Sequence, residues 1–197
     1  MRTKILLDAA EDEGITVSSK EMKKYAEDSI GTSDYKTMAT QYGVSKDQAK
    51  QIVDRFIQQN KIDFFTGPTP SNVALAVGPA LFAAKVPFVT SNPGPSQYAG
   101  AQCNPYFFGQ SYQNDTWDEA AGQWATDQKL KTAFIIAPNY PAGRDHLTGF
   151  KRTYKGQVVA EVYGKVGQLD YAAELAQIRA ARPEAVYFFL PGGMGIN

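Results

Sequence analysis

Three short stretches of this chain carry side chains suited to holding an anion, and a fourth is rich in glycine. Thr69-Pro70-Ser71-Asn72 follows an apolar run and precedes VALAV, the form of a helix start with Thr69 as N-cap and Pro70 at the first helical position. Ser71 and Asn72 would then present backbone N–H groups and side-chain donors at the positive end of a helix, ready for a carboxylate. The same residues also serve as a plain cap whose remaining groups go to water. Thr90-Ser91-Asn92-Pro93-Gly94 sets hydroxyls and an amide after a second apolar run, although all five types also make ordinary turns. Asn139-Tyr140-Pro141-Ala142-Gly143-Arg144 leads from a third run into a helix, and Tyr140 could be an aromatic wall with a polar tip or a packing residue. Gly192-Gly193-Met194-Gly195 follows the last run, but the third Gly of a dinucleotide turn is missing and no helix follows.

Enzyme chemistry finds less to work with. His146 is the only histidine and Cys103 the only cysteine, and nothing in the spacing positions them as a nucleophilic pair. His146 reads as a solvated surface residue. Neither a G-x-S-x-G elbow nor a phosphate-cradling P-loop with Lys occurs. Asp170 and Glu174, four apart, read as a solvated helix face, and Trp117 and Trp124 as core. The expectation is no catalytic residue, no metal ligand and no cofactor.

The elements that must position these loops alternate from Ile62 onward. IDFFT, VPFVT, TAFIIAP, QVVAEVY and AVYFFL have strand composition, and YFFGQSY is a further strand or a crossing segment. Helices are predicted over 72–84, over 116–128 with Trp117, Ala120, Ala121 and Trp124 on one face, over 144–154 and over 171–181. This βα alternation predicts an α/β fold of mostly parallel sheets with flanking helices. Polar loops then leave the carboxyl ends of the strands, where open sheets bind ligands. Residues 1–60 read as helical throughout. Ile5, Leu6, Ala9 and Ala10 form an apolar stripe, Ser18 with Glu21 and Ser45 with Gln48 have capping-box spacing, and 33–42 is a short helix. A helix over 46–60 buries Ala49, Ile52, Val53, Phe56 and Ile57. The expected organisation is a helical segment 1–45, a βαβ part 46–110 and an αβαβαβ part 111–197.

Composition narrows the partners. The chain has 197 residues, 43% hydrophobic, and its 20 acidic and 20 basic residues cancel, which gives no electrostatic support to a nucleic-acid groove or an anionic membrane surface. A single cysteine excludes an internal disulfide. No apolar run approaches the roughly 18–20 residues that span a bilayer. At the start, ILL before Asp8 is too short for a secretory core. Unpaired sheet edges favour self-association into a homo-oligomer.

The span from about 47 to 197 resembles the ABC-transporter solute-binding proteins of the type I periplasmic fold, the branched-chain amino acid family with its relatives for aromatic carboxylates. The residues that carry the resemblance are DQAKQIVDRFIQQNKIDFFTGPTPSNVALAVGPALFAAKVPFVTSNPGPS, then YFFGQSYQNDTWDEAA, then APNYPAGRDHLTGFKRTYKGQVVAEVYGKVGQLDYAAELAQIRAARPEAVYFFLPGG. The resemblance implies two lobes closing by a hinge on a small carboxylate-bearing solute, and membrane subunits of an ABC importer as partners. By it, Ser71, Asn72, Thr90 and Ser91 hold the ligand carboxylate, Tyr140 is a second-lobe contact, and Gly193 and Met194 face the cleft. Ser111, Asn114 and Asp115 match the first crossing between lobes. It also implies a periplasmic location, whereas the sequence itself, with no leader visible, is equally compatible with the cytoplasm. Family members open with a βαβ unit where this chain has helices, and they continue past Asn197, so both lobes are expected to be truncated. Residues 1–45 are weakly similar to the helical arm of trigger factor or SurA-like chaperones, so a chimera without a complete ligand site is the alternative.

Overall fold

Short Phe- and Val-rich runs form the strands of this chain, and the helices between them pack over the sheets. The computed structural model describes residues 46–195. The stripe at 5–10, the capping boxes beginning at Ser18 and Ser45, the helix over 33–42 and the chaperone likeness lie outside the described residues. In the remainder, α1 (Lys46–Arg55) runs into a wider π turn (Phe56–Asn60), followed by β1 (Phe65–Thr66) and α2 (Ser71–Ala83). Next come β2 (Phe88–Thr90), the single turn α3 (Ser96–Ala99) and β3 (Phe107–Gly109). The second half holds α4 (Trp117–Asp127), β4 (Thr132–Pro138), α5 (Pro141–Thr153), β5 (Gln157–Gly164), α6 (Ala172–Ala181) and β6 (Ala185–Phe188), ending in a 3-10 turn (Gly192–Gly195).

Two three-stranded sheets result, ordered β1-β2-β3 and β5-β4-β6, and every pairing among the described strands is parallel. Phe88 is the hub of the first, with the rings of Phe65 and Phe107 each 5.5 Å away in edge contact and Ala74, Val77 and Leu81 of α2 packed over them. In the second sheet β4 is central and buried on both faces, as its unbroken apolar run demands. Ala133, Ile135 and Ala137 meet Leu147 and Phe150 of α5.

Three packing expectations are corrected. Trp117 and Trp124 are exposed, at 62% and 61%, because α4 turns the stripe Asp118, Gly122 and Ala125 inward, one residue and so about 100° round the helix. Gly122 permits this: a Cβ there would lie 2.2 Å from the Phe150 carbonyl oxygen. His146 is buried, not solvated, with Nδ1 2.7 Å from Asp118 Oδ2 and Phe189 stacked on its ring at 3.5 Å. Ile52 is exposed, since α1 buries only Ala49 and Val53 before the π turn shifts the phase of the helix.

Candidate functional site

Ser71 opens α2, and its N-cap is Pro70 rather than Thr69. The extended Pro70 (φ −80, ψ 135) has no N–H to lose, and its carbonyl takes the first bonds, from the Val73 and Ala74 N–H groups at 3.1 Å each. The N–H groups of Ser71 and Asn72 precede those bonds and belong to the positive end of the helix. Ser71 is buried and Asn72 half-buried. On the adjacent strand, Thr90 ends β2 with no exposure, and its Oγ1 has no hydrogen-bond partner. Ser91, next along, is exposed.

The connection from β3 to α4 crosses from one sheet to the other, and two of its residues are buried anchors. The Asn114 N–H donates to the Gly94 carbonyl at 2.8 Å, and the Gly94 N–H donates to Asn114 Oδ1 at 3.2 Å. A side chain at position 94 could not be accepted, because its Cβ would sit 1.9 Å from the Tyr112 carbonyl oxygen. Asn114 Nδ2 donates to Ser71 Oγ at 3.1 Å and to Asp145 Oδ2 at 3.0 Å. Asp145, on α5, also takes the Ser96 N–H at 3.1 Å and the Ser96 hydroxyl at 2.7 Å. Asp115 is held from the other side by Arg152 of α5 at 2.7 Å. That carboxylate and Glu119 raise the Arg152 guanidinium further above its usual range. Ser111 is exposed.

Tyr140 is the N-cap of α5, with Pro141 at the first helical position. Burial pushes its phenol up to about 12, and Tyr112 and Asp145 add to the push. Tyr112 in turn lies 4.0 Å, ring to ring, from Trp117. Ser71, Asn114, Asp145 and Ser96 are therefore one hydrogen-bonded group joining both sheets' loops, and Tyr140 senses both Asp145 and Tyr112. Gly193 is exposed, and Met194 lines an apolar hollow of about 380 Å³ with Ile136, Leu175, Ile178 and Phe188. A second hollow of about 280 Å³ lies between α1 and α2, and neither touches Ser71, Thr90 or Tyr140.

Sequence reasoning passed over Asp145, Ser96 and Tyr112. Only Asp145 left a signal: it lies three residues after Ala142 and four before Gly149, so it shares their buried helix face. A carboxylate there must find partners.

A profile described as periplasmic binding protein matches residues 35–197. The chain belongs to the periplasmic binding protein family. A Leu/Ile/Val-binding protein homolog of Brucella abortus is 24% identical over 151 residues, 74% of this chain and 38% of that one. An R. palustris ABC-transporter solute-binding protein in complex with benzoate is 28% identical, with TM-score 0.72 over 77% of this chain and 43% of that one. A second from R. palustris, in complex with 4-hydroxybenzoate, is 26% identical with TM-score 0.70, covering 77% and 42%. The fold extends to a branched-chain amino acid transporter binding protein of Streptococcus pneumoniae in complex with isoleucine, at 18% identity and TM-score 0.64 over 73% and 41%. This periplasmic binding protein spans less than half the length of each relative named here. The family accounts for the parallel α/β architecture, and none of these likenesses supports a chaperone or chimera reading.

Proposed function

We propose that this chain contributes to non-catalytic capture of a small carboxylate-bearing solute for an ABC importer, outside the cytoplasm, with the importer's membrane subunits as its partners. Parts 46–110 and 111–197 act as the two lobes, and 111–115 is the hinge between them. The ligand carboxylate is taken by Ser71, Asn72, Thr90 and Ser91, while Tyr140 walls the side group. Gly193 and Met194, at a strand end of the second lobe, face the cleft from that side.

The observation that carries this reading is the Thr90 hydroxyl, fully buried at a strand's carboxyl end with no partner. An unpaired buried hydroxyl costs about 1–3 kcal/mol, which a ligand oxygen would recover. The helix start at Ser71, on the neighbouring loop, adds a positive end pointing the same chemistry at an anion. Asp145 already accepts three hydrogen bonds, from the Ser96 N–H and hydroxyl and from Asn114 Nδ2. The benzoate- and 4-hydroxybenzoate-bound relatives support an aromatic acid as the solute.

Calorimetric titration with benzoate, 4-hydroxybenzoate and isoleucine tests the reading. Thr90→Val should weaken binding of the preferred acid at least tenfold, about 1.4 kcal/mol, while leaving the melting temperature unchanged or higher because an orphan hydroxyl is gone. Unaltered affinity in that variant, or no heat with any acid, refutes it. Self-association through β1, β3, β5 and β6, the edge strands among the described residues, is a second proposal, resting on strand order alone.

A further inference from the structure

We infer that the Asp145 carboxylate is the pivot between the two lobes, fastening them together beside the crossing segment so that opening and closing turn about this point. The inference rests on the two-lobe reading above and goes beyond it, because that reading does not say where relative motion is allowed and where it is blocked.

A buried carboxylate persists only where donors surround it. Asp145, on α5 of the second lobe, is 6% exposed and has no ion pair among the described residues. Its three donors all come from outside that lobe's helices: the Ser96 N–H at 3.1 Å, the Ser96 hydroxyl at 2.7 Å and Asn114 Nδ2 at 3.0 Å. Ser96 belongs to the first lobe and Asn114 to the crossing. Separating the lobes here breaks both Ser96 bonds at once, whereas a turn about the contact keeps them. The contact lies at the axis because Oδ2 is shared by Ser96 and the crossing residue itself.

The crossing is seated on both sides. Toward the first lobe, Asn114 exchanges hydrogen bonds with Gly94 and donates to Ser71 Oγ at 3.1 Å. Toward the second, Arg152 holds Asp115 at 2.7 Å. Gly149 brings α5 so near that a Cβ there would lie 2.0 Å from the Asp115 carbonyl oxygen. Residues 114 and 115 are thus buried and gripped by both lobes, while Ser111 and Thr116 on either side are exposed. Bending falls to those flanks, and the lobes stay joined at Asp145.

The test reads interlobe distances in the full chain by pulsed electron spin resonance. Spin labels sit on Cys103, the exposed thiol of the first lobe, and on Gln177→Cys, an exposed position of α6 in the second. Asp145→Asn keeps the volume but replaces one acceptor oxygen by an NH₂, so it cannot take all three bonds. The distance distribution should be about twofold wider in Asp145→Asn than in the labelled parent, and Ser96→Ala, which removes one donor, should widen it less. Adding Asn114→Asp to Asp145→Asn again sets a carboxylate opposite an amide and should narrow the spread, a rescue that a packing role alone would not give. If circular dichroism finds Asp145→Asn unfolded, Ser96→Ala decides. An unchanged spread in the folded variants overturns the pivot. In that case, a parent distance that still shifts with saturating benzoate means that the lobes move about another point, and one that does not shift takes the two-lobe reading down as well. Variants that widen in a chain that binds no acid overturn capture and leave the pivot standing.

Discussion

Tyr98 shows how one side chain reports on burial. Its hydroxyl donates to the Ala74 carbonyl at 3.2 Å, its ring fills the first core against Phe82 and Phe107, and burial raises its phenol from 10.0 to about 12. The folded chain then holds the Tyr98 proton more tightly than the unfolded chain between pH 10 and about 12. Stability is complete below that window and falls as pH rises through it, by about 1.4 kcal/mol per pH unit for this group. Urea unfolding at pH 9 and pH 11 should register the loss, and Tyr98→Phe should lessen it. Tyr140 titrates in the same direction. Asp145 teaches a different lesson at this scale: its importance comes from three donors supplied by residues 31 and 49 positions away in sequence. No local pattern could have announced them.

At the scale of elements, α4 and α5 divide the aromatic residues into those that hold the molecule together and those that do not. Phe150 of α5 is buried, stacked on Tyr187 at 4.4 Å and packed on Tyr154. Trp124 of α4 faces solvent. Phe150→Ala should cost roughly 3–5 kcal/mol in urea unfolding, whereas Trp124→Gln should stay within about 0.5 kcal/mol. An equal cost for both would mean that α4 is turned the other way. Helical spacing alone placed the two tryptophans on one face and gave that face to the core. The close approach allowed by Gly122 gave the core the next stripe instead.

At the scale of the molecule, each sheet has three strands and two open edges among the described residues, and the second carries an apolar hollow with Phe188 and Val186 exposed at its rim. Backbone groups on such edges are unpaired and can template another chain. Sedimentation over rising concentration should therefore give a mass above the 21.6 kDa of one chain, and Val186→Lys should reduce it. A concentration-independent monomer would dismiss association.

The sequence by itself determined the βα alternation, the parallel pairing and the loops at the strand ends, because these follow from short-range composition and the two periods of 2 and 3.6 residues. It also marked Ser71, Thr90 and Tyr140, whose types and positions after apolar runs are local facts. Tertiary structure alone decided that Thr90 is stranded without a partner, that Asn114 bonds Ser71 and Asp145, that Met194 lines an apolar hollow and that His146 is buried. Each of these depends on contacts between segments distant in sequence, and a hydrogen-bond partner or a covered face exists only once such segments meet.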